Sequence, residues 1–226
     1  MAIATMDVRE TGFCDGAVAI PARLHLPPDF DPDRGWPAVV LSAPGSSARD
    51  PVAAIYARKL AGRGFVAITF DPSHRVAGGV TARGLSDAAT RVEDLHRAVD
   101  HLETLPFVDA ARIAVLGVCA GGGHAVDAAL TEHRFKAVVT VAGTDAGQTN
   151  ARDRALAQPL MVIVGSRRGS TGQYETGRAL YGLARGPDRA LVVIPDAGHH
   201  DLRHHDACID RAIERLASFL HFHLEP

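Results

Sequence analysis

Cysteine is scarce in this chain of 226 residues, which contains only Cys14, Cys119 and Cys208. An odd and sparse set of cysteines argues against a disulfide framework and is typical of proteins in a reducing compartment. The sequence therefore predicts a cytoplasmic protein whose cysteines are free thiols.

Long apolar runs and a strong excess of charge are also absent. No stretch reaches the roughly 18 apolar residues of a membrane span, and residues 1–10 lack the apolar core of a secretory signal. The formal net charge is −2 and the pI is about 6.6, so nothing favours nucleic acid or an anionic membrane. We expect a small-molecule substrate, with no nucleic acid or membrane as a partner, and a homodimer is compatible with the sequence.

The chain is organised as alternating apolar runs and helix-type segments within one domain, 1–226. The predicted strands are 16–26, 38–41, 65–70, 112–116, 137–141, 160–164 and 190–194. The predicted helices are 51–61, 86–105 with Ser86 as N-cap, 120–130, 149–157, 174–184 and 204–224. This alternation predicts an α/β fold with a doubly wound, mostly parallel sheet, in which chemistry gathers at the carboxyl ends of the strands.

The run GVCAG follows the predicted strand 112–116 and precedes a helix, which is the context of a nucleophile elbow. Such a turn strains its central residue, here Cys119, and needs small residues on either side, as Gly117 and Gly121 are. The start of the next helix favours a thiolate, and the Ala120 N–H can donate to an oxyanion. The alternative is a buried structural cysteine in a glycine-rich crossover.

The chain resembles the dienelactone hydrolase-related α/β hydrolases in which cysteine replaces serine at the elbow. The likeness spans roughly 16–224, and its most specific part is RIAVLGVCAGGG at 112–123, with RVEDL at 91–95 and YARKLAGRGF at 56–65. The resemblance implies an α/β-hydrolase fold. Many relatives insert a cap between the strands that correspond to 137–141 and 160–164, but here the gap is too short, so we expect no cap domain.

The resemblance also implies that the general base lies on the loop after the last strand. That loop reads PDAGHHD at 195–201, and His199 is the candidate because an Asp-Leu pair follows it at the spacing of the family. A histidine here can accept the thiol proton and later protonate a leaving group. His200 is the competing residue.

The acid of the triad is where the sequence departs from the family. Family enzymes usually carry it after the strand 160–164, but here the loop 165–172 reads GSRRGSTG and has no carboxylate. Asp145 is the preferred substitute and Glu175 the second. A Cys–His pair with no acid is the third option, because a thiol ionises more easily than a hydroxyl. Arg167 and Arg168 in this loop could bind an anion or form a solvated turn.

Two further loops supply candidate binding groups. The Ser46 N–H, in SAPGSS at 42–47, is the candidate second oxyanion donor, although such a run is also an ordinary turn. His74 and Arg75 follow the strand 65–70 and could reach the pocket, where Arg75 could hold a carboxylate or phosphate of the substrate. An ordinary surface loop is the alternative. Histidines and aspartates also cluster in 199–206, but no matching ligand set occurs elsewhere, so we expect no metal and no cofactor.

Two enzymatic functions fit these residues. The first is a hydrolase that cleaves a lactone, ester or thioester through an acyl group on Cys119. The second is a lyase or cyclase of secondary metabolism, with His199 as general base in the same pocket. A binding module without catalysis is the weakest interpretation, because the cysteine and the histidine both stand at the family spacing.

Overall fold

The computed structural model describes residues 7–43, 50–76, 87–143, 155–167 and 173–225. Within them, eight strands form one sheet in the order β1-β2-β4-β3-β5-β6-β7-β8. The strands are β1 (Val8–Asp15), β2 (Val18–His25), β3 (Trp36–Ser42), β4 (Val66–Phe70), β5 (Val108–Val118), β6 (Phe135–Val141), β7 (Leu160–Gly165) and β8 (Arg189–Ile194). The helices are α1 (Pro51–Ala61), α2 (Ser73–Val76), α3 (Asp87–Glu103), α4 (Gly121–Ala129), α5 (Gln173–Tyr181), α6 (Asp201–His204) and α7 (Asp206–Leu224).

The sheet is mostly parallel and is covered on both faces. Among the described strands, only β1 with β2 and β2 with β4 pair in antiparallel fashion, whereas β3 to β8 run parallel to one another. One face packs against α3, α4 and α5 in one apolar cluster, and the other packs against α1 and α7 in a second. The predicted doubly wound α/β fold is confirmed. The strand that ends beside Cys119, β5, lies in the middle of the sheet between β3 and β6.

The differences from the predicted elements lie at the edges of the fold. The edge strand β1 was not predicted, because its exposed side carries polar residues such as Arg9 and Glu10. The predicted helix 204–224 is divided by His205, whose extended backbone separates α6 from α7. The helix predicted for 149–157 is wrong where it is described, because Leu156 forms a parallel bridge with Ala184. Ser86, which was predicted as the N-cap of the helix 86–105, lies outside the described residues.

One buried titratable group has consequences for stability. His25 on β2 is 3% exposed, and within the described part of the chain neither of its ring nitrogens has a hydrogen-bond partner. Burial lowers the pKa of His25 to about 4, and the positive charges of Arg58 and Arg23 act in the same direction. The folded protein therefore holds this imidazole in its neutral form.

We expect acid to destabilise the fold through His25. Between pH 6.5 and pH 4 the unfolded chain protonates this residue and the folded chain does not, so the free energy of unfolding falls as the pH falls through that window. Between pH 7 and pH 4.5 the free energy of unfolding of His25→Leu should fall by about 2 kcal/mol less than that of wild type. Urea unfolding at both pH values measures it, with exposed His133→Leu as the control. An equal loss in His25→Leu and wild type would contradict the assignment.

Candidate active site

Cys119 occupies a strained turn between β5 and α4. Its φ is 55°, in the left-handed region that residues other than glycine rarely adopt. Its N–H donates to the Val141 carbonyl of β6 at 2.9 Å, and its own carbonyl accepts from the Gly122 N–H at 2.9 Å. These two bonds hold the turn from both sides. The unusual backbone conformation predicted for Cys119 is confirmed.

Two glycines make this turn sterically feasible. A Cβ on Gly117 would collide with the carbonyl oxygen of Gly121, and a Cβ on Gly121 would collide with the carbonyl oxygen of Ser42 at the end of β3. Backbone from three segments therefore meets here at distances that leave no room for a side chain. This contact explains why the small residues two before and two after Cys119 are required.

The turn brings Cys119 against His199. The Cys119 Sγ lies 3.2 Å from His199 Nε2, although the residues are 80 positions apart in sequence. Cys119 is 8% exposed and His199 is half-buried, so the contact is largely withdrawn from water. A thiol and an imidazole at this distance can exchange a proton.

His199 stands on a short turn between β8 and α6. The Asp201 carboxylate accepts the Gly198 N–H at 2.7 Å and so spans the turn that carries the histidine. The hydroxyl of buried Tyr56, on α1, donates to the Leu202 carbonyl at 2.7 Å and anchors α6. The competing residue, His200, is exposed, and its ring packs against His204 with 4.4 Å between centroids.

The surroundings of His199 keep its ring neutral near pH 7. Burial lowers the pKa of His199, and the positive charge of Arg203, followed by those of His200 and His204, lowers it further. A neutral imidazole is the form that can accept a proton from a thiol.

Arg203 was missed by the sequence analysis. Its position four residues after His199 was the available signal, and its Nε is buried without a hydrogen-bond partner in the described ranges.

No described carboxylate is hydrogen-bonded to His199. His199 Nδ1 is buried and has no hydrogen-bond partner among the described residues. Asp145 lies outside those residues, so its predicted role stays a prediction. Glu175 is exposed in the first turn of α5, and no hydrogen bond links it to His199. Arg167 is paired with Asp201, so it is not a free anion-binding group, and Arg168 falls outside the described chain.

Only some of the remaining predicted groups lie among the described residues. Ala120 precedes α4 directly, and its N–H has no acceptor in the part of the chain that the structure describes. Ser46 lies outside the described residues. His74 and Arg75 lie on α2 after β4, but their side chains are not among those described. Asp94 Oδ2 accepts the Ser73 N–H at 3.0 Å and so ties the start of α2 to α3.

The described ranges contain neither a metal-binding cluster nor a membrane-spanning helix. No group of three or more His, Cys, Asp or Glu side chains there is arranged to hold a metal ion. None of the described helices has the length and apolar character needed to cross a membrane.

We expect Cys119 to be alkylated faster than the other two cysteines in the folded protein at pH 7. Cys14 is exposed, so accessibility alone favours Cys14, whereas contact with a neutral imidazole favours Cys119. Iodoacetamide labelling followed by peptide mass spectrometry ranks Cys14, Cys119 and Cys208. His199→Ala should slow Cys119 by roughly tenfold, and exposed His133→Ala should not. Faster labelling of Cys14 or Cys208 than of Cys119 would refute this expectation.

Curated relatives match a little over half of the chain. The uncharacterized protein YcjY of Escherichia coli is 39% identical over 130 residues, which are 58% of this chain and 42% of that protein. The uncharacterized protein PA2218 of Pseudomonas aeruginosa is 37% identical over 123 residues, which are 54% of this chain and 33% of that protein. This chain therefore spans less than half the length of the curated relatives it matches.

Solved structures match nearly the whole chain. The crystal structure of PA2218 superposes with a TM-score of 0.78 at 22% identity, covering 97% of this chain and 94% of that one. A dienelactone hydrolase of Anabaena variabilis superposes with a TM-score of 0.78 at 19% identity, covering 97% and 99%. At these identities the likeness shows the fold, which is that of the α/β hydrolases.

The family itself is shown by the sequence. Residues 30–212 match the model of the dienelactone hydrolase family, and they include the elbow at Cys119 and the turn that carries His199. The expected resemblance is confirmed over most of the chain. The chain belongs to the dienelactone hydrolase family.

Proposed function

We propose that this protein is a hydrolase that cleaves a small lactone, ester or thioester through an acyl group carried on Cys119. The observation that carries the proposal is the 3.2 Å contact between Cys119 Sγ and His199 Nε2, at the end of the central strand. Membership of the dienelactone hydrolase family supports hydrolysis as the reaction class.

Acylation begins with transfer of the thiol proton from Cys119 to His199 Nε2. The sulfur then attacks the carbonyl carbon of the substrate and the carbonyl oxygen becomes an oxyanion. The Ala120 N–H stabilises it from the start of α4, and we assign the second donor to the Ser46 N–H. As the oxyanion collapses, the bond to the leaving group breaks and His199 returns its proton to that group.

Deacylation repeats these steps with water as the nucleophile. His199 Nε2 takes a proton from water, the hydroxide adds to the acyl carbon, and the Cys119 sulfur leaves as thiolate. Its proton comes back from His199, so the free enzyme is restored with no net change. A neutral imidazole is needed at the start of both halves, and the lowered pKa of His199 supplies it near pH 7.

Positive charge near the site favours an anionic substrate. Arg203 lies close enough to His199 to lower the pKa of the ring, and its Nε has no hydrogen-bond partner among the described residues. We place His74 and Arg75, on α2 beyond the carboxyl end of β4, at the same pocket. Arginine binds a carboxylate or phosphate through two donors. The proposal treats the chain as one cytoplasmic domain that acts on small molecules without a cofactor.

A lyase or cyclase is the second candidate, and one observation favours it. The loop 165–172 after β7 has no carboxylate at the place where family enzymes usually carry the acid, and His199 Nδ1 has no acceptor among the described residues. Such a histidine could abstract a substrate proton in an elimination or ring closure, with no acyl group on Cys119. Covalent capture therefore separates the two candidates.

We expect the folded protein to gain one acyl mass after mixing with at least one member of a panel of activated esters, lactones and thioesters. Intact-mass spectrometry followed by peptide mapping should place the acyl group on Cys119, because its thiol contacts His199. Cys119→Ala should form no adduct, and Cys14→Ala, which removes an exposed thiol remote in sequence from the elbow, should form it normally. Turnover of a panel member without an adduct would favour the lyase or cyclase.

We expect Asp145 to be the orienting acid. Asp145→Asn should lower turnover on the order of 100-fold, by analogy with the acids of other triads. Glu175→Gln should leave turnover unchanged, because Glu175 is exposed and makes no hydrogen bond to His199. Steady-state rates of both variants on the same substrate decide the question. Unchanged turnover in both would reject the triad and leave a Cys–His pair.

A further inference from the structure

Arg167, just beyond β7, holds the turn that carries His199 at several points. Its Nε donates to the Asp196 carbonyl at 2.8 Å, and its backbone N–H donates to the Ala197 carbonyl at 2.9 Å. Its terminal NH2 group donates to Asp201 Oδ2 at 2.8 Å. Two of these contacts precede His199 in sequence and one follows it, so a single arginine bridges both ends of the turn.

Asp201 links Arg167 to the turn that carries His199. The oxygen that accepts from Arg167 also accepts the Gly198 N–H at 2.7 Å, so one carboxylate joins the arginine to the residue before His199. The Gly198 N–H, followed by the charge of Arg167, lowers the pKa of Asp201, which is therefore ionised at neutral pH. Charge-assisted bonds of this kind are stronger than bonds between neutral groups.

The neighbouring residue of the same loop reinforces this arrangement. The Ser166 N–H donates to the Ile194 carbonyl at 3.0 Å, and the Ser166 hydroxyl accepts the Asp196 N–H at 2.8 Å. The loop after β7 thus supports the loop after β8 through consecutive residues. Asp196 itself has a positive φ of 58°, a conformation that needs such support.

We propose that Arg167 is a positioning residue that holds the His199 turn so that Nε2 remains in contact with Cys119. The inference rests on the proposed function, since it concerns the base of that site. The Arg167 side chain is 64% exposed, and exposed ion pairs add little to the stability of a fold. Its effect is therefore local, on the position of the ring, which has no partner for Nδ1 among the described residues.

The test measures the rate at which iodoacetamide alkylates Cys119 at pH 7, which requires no substrate. Arg167→Ala should slow this rate roughly tenfold, towards the rate of His199→Ala, because a displaced imidazole no longer takes the thiol proton. Arg167→Lys should recover part of the rate, since a lysine can reach Asp201 but cannot make both side-chain contacts. The thermal midpoint of Arg167→Ala should stay within about 3 °C of wild type.

Two further variants make the test specific. Arg178→Ala, which removes an exposed arginine from α5, should leave the rate unchanged. Because Arg167 and Asp201 share one bond, Arg167→Ala should cost less in an Asp201→Asn background than in wild type. An unchanged rate in Arg167→Ala, an equal loss in Arg178→Ala, or a large fall in thermal midpoint would each overturn the proposal. So would a His199→Ala rate equal to that of wild type.

The outcome separates this inference from the proposed function. Slower labelling in Arg167→Ala, with no acyl adduct on wild type from any ester, lactone or thioester, supports the positioning role and defeats the hydrolase. An adduct on wild-type Cys119, with labelling unchanged in Arg167→Ala, defeats the positioning role alone.

Discussion

The site depends on a backbone contact at the end of the central strand, where three segments meet without intervening side chains. Gly117 lies against the Gly121 carbonyl, and Gly121 lies against the Ser42 carbonyl of the adjacent strand. This contact forces the chain to turn sharply at Cys119, which adopts a φ of 55°. A non-glycine residue in that region costs of order 1–3 kcal/mol. Apolar clusters on both faces of the sheet, together with the two backbone hydrogen bonds of Cys119, offset that cost.

The thiol in the strained turn has a proton acceptor beside it only because a second loop reaches the turn. His199 arrives from beyond β8, and the loop after β7 reinforces its turn through Arg167 and Ser166. Three neighbouring loops lie at the carboxyl edge of the sheet. One carries the proposed nucleophile, one carries the proposed base, and the third holds the turn of that base. Loops of this kind tolerate changes of chemistry on a constant scaffold, which is how one fold supports many reactions.

Local patterns explain why much of this arrangement could be predicted. The elbow depends on residues within a few positions of Cys119, and the buried parallel strands have short apolar runs that stand out in the sequence. His199 was identified through the family spacing, and the distance to Cys119 agrees with that choice. The edge strand β1 and the short helix α2 lacked such patterns. Arg167 was considered only as an anion-binding or solvated group, because its pairing with Asp201 joins positions 34 residues apart.

The central claim is that Cys119 carries the acyl group with its oxygen held at the start of α4. A crystal structure of the wild-type protein, flash-cooled after reaction with an activated ester and before water releases the acyl group, tests it most directly. The account predicts continuous density from Cys119 Sγ to the acyl carbon, with the acyl oxygen about 2.7–3.1 Å from the Ala120 nitrogen. An acyl group bound to Cys14 or Cys208, or an acyl oxygen turned away from Ala120, would contradict it.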